Sequence, residues 1–226
     1  MTRFKLIPSS GNRKSAIDNW RMSIAKVAIL ISGRGSNMVA LADAIDRGAV
    51  PNAEIEIVIS DQASAAGLQV AQSRGLRAVA IPRAGRSRED HEREITLRLQ
   101  EHKIDVICLA GYMRLLSASF VEAYAGRILN IHPSLLPSFP GLHPQQQAID
   151  HGVKWTGCTV HIVDNTLDGG PIVAQRILQL LDDDTETSLS ERLLQEEHKL
   201  YPEALALIAG GNYQIVGRRV LPKNQS

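Results

Sequence analysis

Cysteine is scarce: Cys108 and Cys158 are the only two in 226 residues, and each lies in or beside an apolar, strand-like run. They read as buried fillers, too few for a disulfide framework or a thiolate metal centre, and they suit a reducing, cytoplasmic setting. Aromatic residues make up 4% of the chain, and 25 Lys and Arg against 24 Asp and Glu leave a formal charge of +1. With no basic stripe and no aromatic platform, nothing electrostatic favours nucleic acid, and small-molecule partners fit better. No apolar run approaches the roughly 18 residues needed to cross a bilayer, so no membrane partner is expected. No pair of histidines has metal-ligand spacing, and no metal is expected. A Gly-x-Ser-x-Gly elbow is also missing, which argues against a serine nucleophile.

The first 21 residues are polar and irregular, with no apolar segment of the signal-peptide kind. They are expected to be a disordered extension, with Met22 as a second candidate initiator. Residues 22 to 226 are long enough for one domain with a substantial core. Residues 26 to 32 form an apolar strand that runs into Gly33-Arg34-Gly35-Ser36-Asn37, after which Met38, Leu41, Ala42 and Ile45 recur at helical spacing. Further strands are expected at 55 to 60, 78 to 81, 104 to 110 and 128 to 131. The nearly all-apolar run at 104 to 110 points to a parallel sheet covered on both faces. Ser87 with Asp90 resembles a capping box for a helix reaching about His102, and residues 145 to 151 read as a short helix. Segments 159 to 163 and 172 to 177 flank the turn signal Asp168-Gly169-Gly170, as a hairpin or a pair of edge strands. Ser188 with Glu191 reads as the capping box of a last long helix. Pro202 is expected to kink that helix, and Gly210-Gly211 to end it. The fold class is therefore α/β, a mostly parallel sheet flanked by helices with a mixed C-terminal portion.

Asn130-Ile131-His132 opens onto a proline-rich run from Pro133 to His143. Residues two apart on a strand share a face, so the Asn130 amide and the His132 imidazole can reach one reacting centre. An amide can donate to a carbonyl oxygen gaining negative charge, and an imidazole can move a proton near neutral pH, which together suit acyl-group chemistry. Asp168, in its glycine-rich turn, is a candidate to fix the His132 tautomer. Gly33 to Asn37 lies at the end of the first strand and the start of a helix, where free N–H groups and the helix dipole attract phosphate. A monophosphate cradle is the leading reading, with a merely tight structural turn as an alternative. A dinucleotide site is the third, because Asp61 mimics a ribose-binding acid although the third glycine of the fingerprint is missing. Of the other histidines, His161 reads as a structural strand residue and His143 is open. His91, His102, His151 and His198 read as solvated.

Four segments carry a resemblance: Ile31 to Asn37 (ISGRGSN), Leu109 to Arg114 (LAGYMR), Asn130 to Pro137 (NIHPSLLP) and Leu167 to Pro171 (LDGGP). In this order they resemble the motifs of the phosphoribosylglycinamide formyltransferase family, the folate-dependent transformylases of purine synthesis, over about residues 25 to 216. The resemblance implies a Rossmann-like formyltransferase fold and transfer of the formyl group of 10-formyltetrahydrofolate, the co-substrate, to the amine of 5-phosphoribosylglycinamide. It further implies that Gly35, Ser36 and Asn37 hold the nucleotide phosphate with Glu197 near the glycinamide. Arg88, Met113, Arg114, Leu115 and Leu116 would line the folate site. Asn130 would bind the formyl oxygen, His132 would donate a proton, and Asp168 would orient and charge-tune His132. Leu194 stands where a bacterial relative has a polar residue, so one substrate contact is expected to be absent or supplied elsewhere, and Asp61 replaces a commoner asparagine with little expected effect. A homodimer is compatible with the resemblance.

The Asn-x-His pair with a distant Asp is shared with formyltetrahydrofolate deformylase, which uses water as acceptor. That enzyme usually has a regulatory domain ahead of the catalytic part and tends to carry His at the position of Pro133. Methionyl-tRNA formyltransferase would need a further RNA-binding domain and a basic surface. A non-catalytic binding module would be expected to lack one of Asn130, His132 or Asp168, and all three are present.

Overall fold

A computed structural model of the protein describes residues 24–223. The expectation for residues 1 to 21 lies outside the described residues. Strand β1 (Ala25–Ile31) is followed by helix α1 (Ser36–Asp46), β2 (Ala53–Ser60), α2 (Ala66–Ser73), β3 (Ala78–Ala80), α3 (Arg88–Glu101), β4 (Val106–Leu109), α4 (Ala118–Ala123) and β5 (Ile128–His132). There follow α5 (Pro144–Asp150), β6 (Trp155–Ile162), β7 (Ile172–Gln179), α6 (Glu186–Ala209), β8 (Tyr213–Val216) and β9 (Arg219–Pro222). Among the described residues, all nine strands join one sheet in the order β3-β2-β1-β4-β5-β6-β7-β9-β8. The first five pair in parallel, β6 and β7 run antiparallel, and β9 returns parallel to β7.

Alternation along β1 builds a core on each face of the sheet. Val27, Ile29 and Ile31 pack with Met38 and Leu41 of α1 and with Leu200, Leu205 and Ile208 of α6. Ala28 and Leu30 face the other way, toward Ile57, Ile59, Ile95 and Leu99. Cys108 and Cys158 are free and buried, as read from the sequence, and burial pushes each thiol up to about 12. Tyr201, fully buried on α6, sets its hydroxyl between two parallel strands, 3.1 Å from the Leu109 carbonyl and 3.0 Å from that of Leu129.

Several elements depart from the sequence reading. Helices α2 and α4 and the β8–β9 hairpin were not expected. Helix α2 has no side-chain cap and contains Gly67, which masks it in the sequence. That glycine is a close-approach residue: a Cβ there would lie 2.6 Å from the Ile31 side chain and 2.9 Å from the Gly33 carbonyl. The β6–β7 hairpin forms as expected, but neither strand is an edge, because β9 and β8 extend the sheet beyond β7. Helix α6 starts before Ser188, with Thr185 as N-cap. Ser188 is the reciprocal N3 partner of that box, so the box of Ser188 with Glu191 is not the one used. Ser87 does cap α3 by accepting from the Asp90 amide.

Three histidines expected in solvent are not there. His91 is fully buried on α3, on the same face as Ile95 and Leu99, and its Nε2 donates to the Ile81 carbonyl at 2.7 Å. His102 is largely covered and lies 3.0 Å from Glu56, and His198 is half-buried with Nε2 unpartnered. Burial is the main cause that holds His91 below the ordinary imidazole range. The unfolded chain takes up a proton near pH 6.5 and folded His91 resists it, so this contribution to stability is intact above that pH and declines as pH falls below it. Denaturant unfolding is therefore expected to show a loss of stability between pH 7 and pH 5 that shrinks in His91→Gln. An unchanged pH slope in the folded variant would exclude His91 as its source.

Candidate active site

Strand order reverses between β1 and β4, so a crevice opens at the carboxyl ends of these two strands, where open α/β sheets bind ligands. The segment after β1 supplies one wall. Gly35 is the N-cap of α1 in the left-handed region (φ 77), and no side chain caps the helix, which leaves its first N–H groups free for an anion. A Cβ at Gly35 would also meet Gly67 and Met38, each at 3.1 Å. Asn37 turns inward, and its Nδ2 donates to Glu197 Oε2 on α6 at 2.7 Å. Burial pushes the Glu197 carboxyl up, with the Asn37 hydrogen bond opposing. The structure thus brings Gly35, Ser36, Asn37 and Glu197 together. Leu194 lies one turn before Glu197, half-buried.

The loop after β4 supplies the second wall. Ser32 N–H donates to the Gly111 carbonyl at 3.1 Å, and Ser32 Oγ accepts from the Met113 amide at 2.8 Å. Met113 and Leu115 are 68% and 63% exposed, apolar side chains left uncovered at the crevice, while Arg114 and Leu116 are half-buried. Arg88 begins α3 and is exposed, with no polar contact to residues 113–116 among the described residues. Beside this loop an open cleft of about 450 Å³ lies between Ser32-Gly33-Arg34 and residues 62, 64, 65 and 66, with Arg83 and Met113 on its rim.

Asn130 and His132 stand at the end of β5. His132 is buried, with Nε2 2.9 Å from the Phe139 carbonyl and Nδ1 3.5 Å from Asp168 Oδ2. Both ring nitrogens therefore face acceptors, which hold the ring in orientation. Asp168 sits in the β6–β7 connection at positive φ (49), and its Oδ2 also accepts from the Gly141 amide at 2.8 Å. The turn signal thus carries the carboxylate to the imidazole, and the proline-rich run helps to hold it.

His161 has more than the structural role read from the sequence. It lies directly opposite Asn130 in the antiparallel β5–β6 pair, and its Nε2 is 3.2 Å from Asn130 Nδ2 and 3.8 Å from Asp168 Oδ1. Burial holds the His161 imidazole below its ordinary range, which favours the neutral ring. With Nδ1–H donating to the Ile162 carbonyl at 3.2 Å, Nε2 is left to accept one Asn130 N–H, and the second amide N–H remains for a ligand. No signal near His161 in the sequence points to Asn130; the pairing of β6 with β5 places it there. His143 is exposed and lies 3.0 Å from Glu186, away from this cluster. Among the described residues, no group of three or more His, Cys, Asp or Glu side chains is placed to hold a metal, and no helix is long and apolar enough to cross a membrane.

Comparison with known proteins matches residues 25–205 to the formyl transferase family. Phosphoribosylglycinamide formyltransferase of Escherichia coli is 40% identical over 84% of this chain and 89% of that protein. A crystal structure of glycinamide ribonucleotide transformylase 1 from Symbiobacterium toebii superposes with a TM-score of 0.86 at 44% identity, over 89% of this chain and 95% of that one. The trifunctional purine biosynthetic protein adenosine-3 of Drosophila melanogaster is 46% identical over 82% of this chain, which spans 14% of that protein. A formyltetrahydrofolate deformylase from Pseudomonas syringae, at 24% identity and a TM-score of 0.83, shares the fold. The described fold therefore has the formyltransferase architecture, and the chain belongs to the formyl transferase family and, within it, to the phosphoribosylglycinamide formyltransferases.

Proposed function

We propose that the chain transfers the formyl group of 10-formyltetrahydrofolate to the amine of 5-phosphoribosylglycinamide in purine synthesis. The observation that carries this reading is the convergence of Asn130, His132 and Asp168 on one end of β5, across the crevice from an uncapped helix N-terminus backed by Glu197. The nucleotide phosphate binds the Gly35-Ser36-Asn37 turn, and the folate lies along residues 113–116 with Arg88 at its outer end. The amine attacks the formyl carbon, forming a C–N bond and a tetrahedral centre. Asn130 donates to the oxygen that gains charge, and His132, oriented by Asp168, supplies a proton. The carbon–nitrogen bond to the folate then breaks, the folate nitrogen leaving with the proton from His132 while the attacking nitrogen gives up its extra proton and so restores His132, and the oxygen regains its double bond. Residues 22 to 226 act as one formyltransferase domain, and the unbridged cysteines support a cytoplasmic setting.

A spectroscopic assay of folate product, with and without the phosphorylated glycinamide, tests the reading. Product formation is expected to be slow with folate alone and to accelerate strongly with the acceptor, because phosphate binding places the amine, an orientation effect that water cannot exploit. Rapid formate release without acceptor would favour hydrolysis instead. Asn37 is a poor probe of the phosphate turn, since a carboxylate there would face Glu197. Ser36→Asp is the cleaner change: like-charge repulsion is expected to raise the acceptor KM roughly tenfold or more while the folate KM holds. An unaltered acceptor KM would remove the phosphate from this turn.

A further inference from the structure

Arg83, three residues beyond β3, had no role in the sequence reading, yet it joins three of the chain segments that border the crevice. Its backbone N–H donates to the Asp61 carbonyl at 3.1 Å. Its Nη1 donates to the Met113 carbonyl at 3.2 Å and lies 3.1 Å from Asp61 Oδ2. The Gln62 side-chain oxygen, in the orientation that satisfies both partners, accepts from Nη2 and Nε, each at 3.1 Å. The Met113 amide is meanwhile held by Ser32 Oγ. Both backbone polar groups of Met113 are thus fixed by side chains from outside its own loop, one from the end of β1 and one from beyond β3.

Asp61 explains why an arginine is suited to this place. Asp61 is 1% exposed, and neither carboxylate oxygen accepts a hydrogen bond among the described residues, so the 3.1 Å ion pair with Arg83 is its electrostatic compensation. The planar guanidinium can address a carbonyl, a carboxylate and an amide oxygen at once, whereas a lysine offers a point charge on a flexible stem.

We infer that Arg83, anchored by buried Asp61, is a positioning residue for the folate loop: by holding the Met113 carbonyl it sets the course of residues 113–116 and with it folate affinity, with no part in proton transfer. The inference rests on the reading that this loop lines the folate site. Its test is tetrahydrofolate binding and steady-state kinetics on the purified full chain, with folding checked by circular dichroism. Arg83→Lys keeps the charge and loses the fork, and Arg83→Ala combined with Asp61→Asn removes both partners without leaving an orphaned carboxylate. Both are expected to raise the folate Kd and KM about tenfold, as loss of a charged hydrogen bond does, while kcat and the acceptor KM stay within about twofold. Unchanged folate binding in both folded variants, or equal losses in folate KM, acceptor KM and kcat, would overturn the inference. Leu115→Ala separates the two layers of argument. If Leu115→Ala weakens folate binding and the Arg83 variants do not, only the role of Arg83 fails. If Leu115→Ala has no effect, the placement of folate on this loop fails and the inference with it.

Discussion

Replacement of His132 by alanine is expected to lower turnover by about 10²- to 10⁴-fold, the usual contribution of a positioned general acid or base, with folate binding little changed. The expectation follows from the ring's surroundings. One nitrogen faces the Phe139 carbonyl and the other the Asp168 carboxylate, so the imidazole is held in orientation and supplied with acceptors on both sides. No other titratable side chain is two residues from Asn130 on the same strand face. His132 is buried, so the alanine variant also leaves a small void, and its melting temperature has to be compared with that of the parent before the rate is interpreted. Near-parental turnover in a folded His132→Ala protein would remove this imidazole from the mechanism.

Asn130→Ala should be nearly as damaging, lowering kcat by roughly 10²- to 10³-fold, the usual effect of deleting one oxyanion donor. The effect belongs in kcat rather than in either KM, because the amide is needed most when the formyl oxygen has acquired charge. Asn130→Asp provides the electrostatic contrast: similar in shape, it presents a carboxylate to a developing anion and should be at least as slow as alanine. A variant at this position that raises only KM would show that Asn130 binds ground state and transition state equally.

The shared face of Asn130 and His132, the proposed catalytic pair, was legible because its physics is local. A strand has a two-residue period, so Asn130 and His132 had to share a face whatever the rest of the chain did. The turn at Gly33 to Asn37 was legible for a similar reason, since a strand, glycines and a helix start are all written within a few residues. His161 and Arg83 were opaque because their partners come from segments remote in sequence, and nothing near either residue announces Asn130 or Met113. His91 was misread for a compositional reason: α3 is densely charged, and only the recurrence of His91, Ile95 and Leu99 marks its buried face. The start of α6 was missed because a serine in the N3 position gives a weaker written signal than the glutamate of the commoner box, although it closes the same reciprocal hydrogen bonds. Helix α2 was lost to Gly67, a residue that opposes helix locally and is required by the approach of that helix to the first turn.

The Tyr201 hydroxyl has a mechanical consequence. It spans the carbonyl that ends β4, where the loop toward Met113 begins, and the carbonyl just before Asn130. One helical turn earlier on the same rod, Glu197 grips Asn37. The phenol therefore works as a gauge block between two parallel strands, mounted on the beam that carries the carboxylate proposed to face the acceptor. A change in strand spacing provoked from the folate side would have to move that beam or break the phenol's contacts. Reshaping one substrate's pocket would then register in the other's, and redesign of this enzyme for an altered folate would have to treat both pockets as a single rigid fixture.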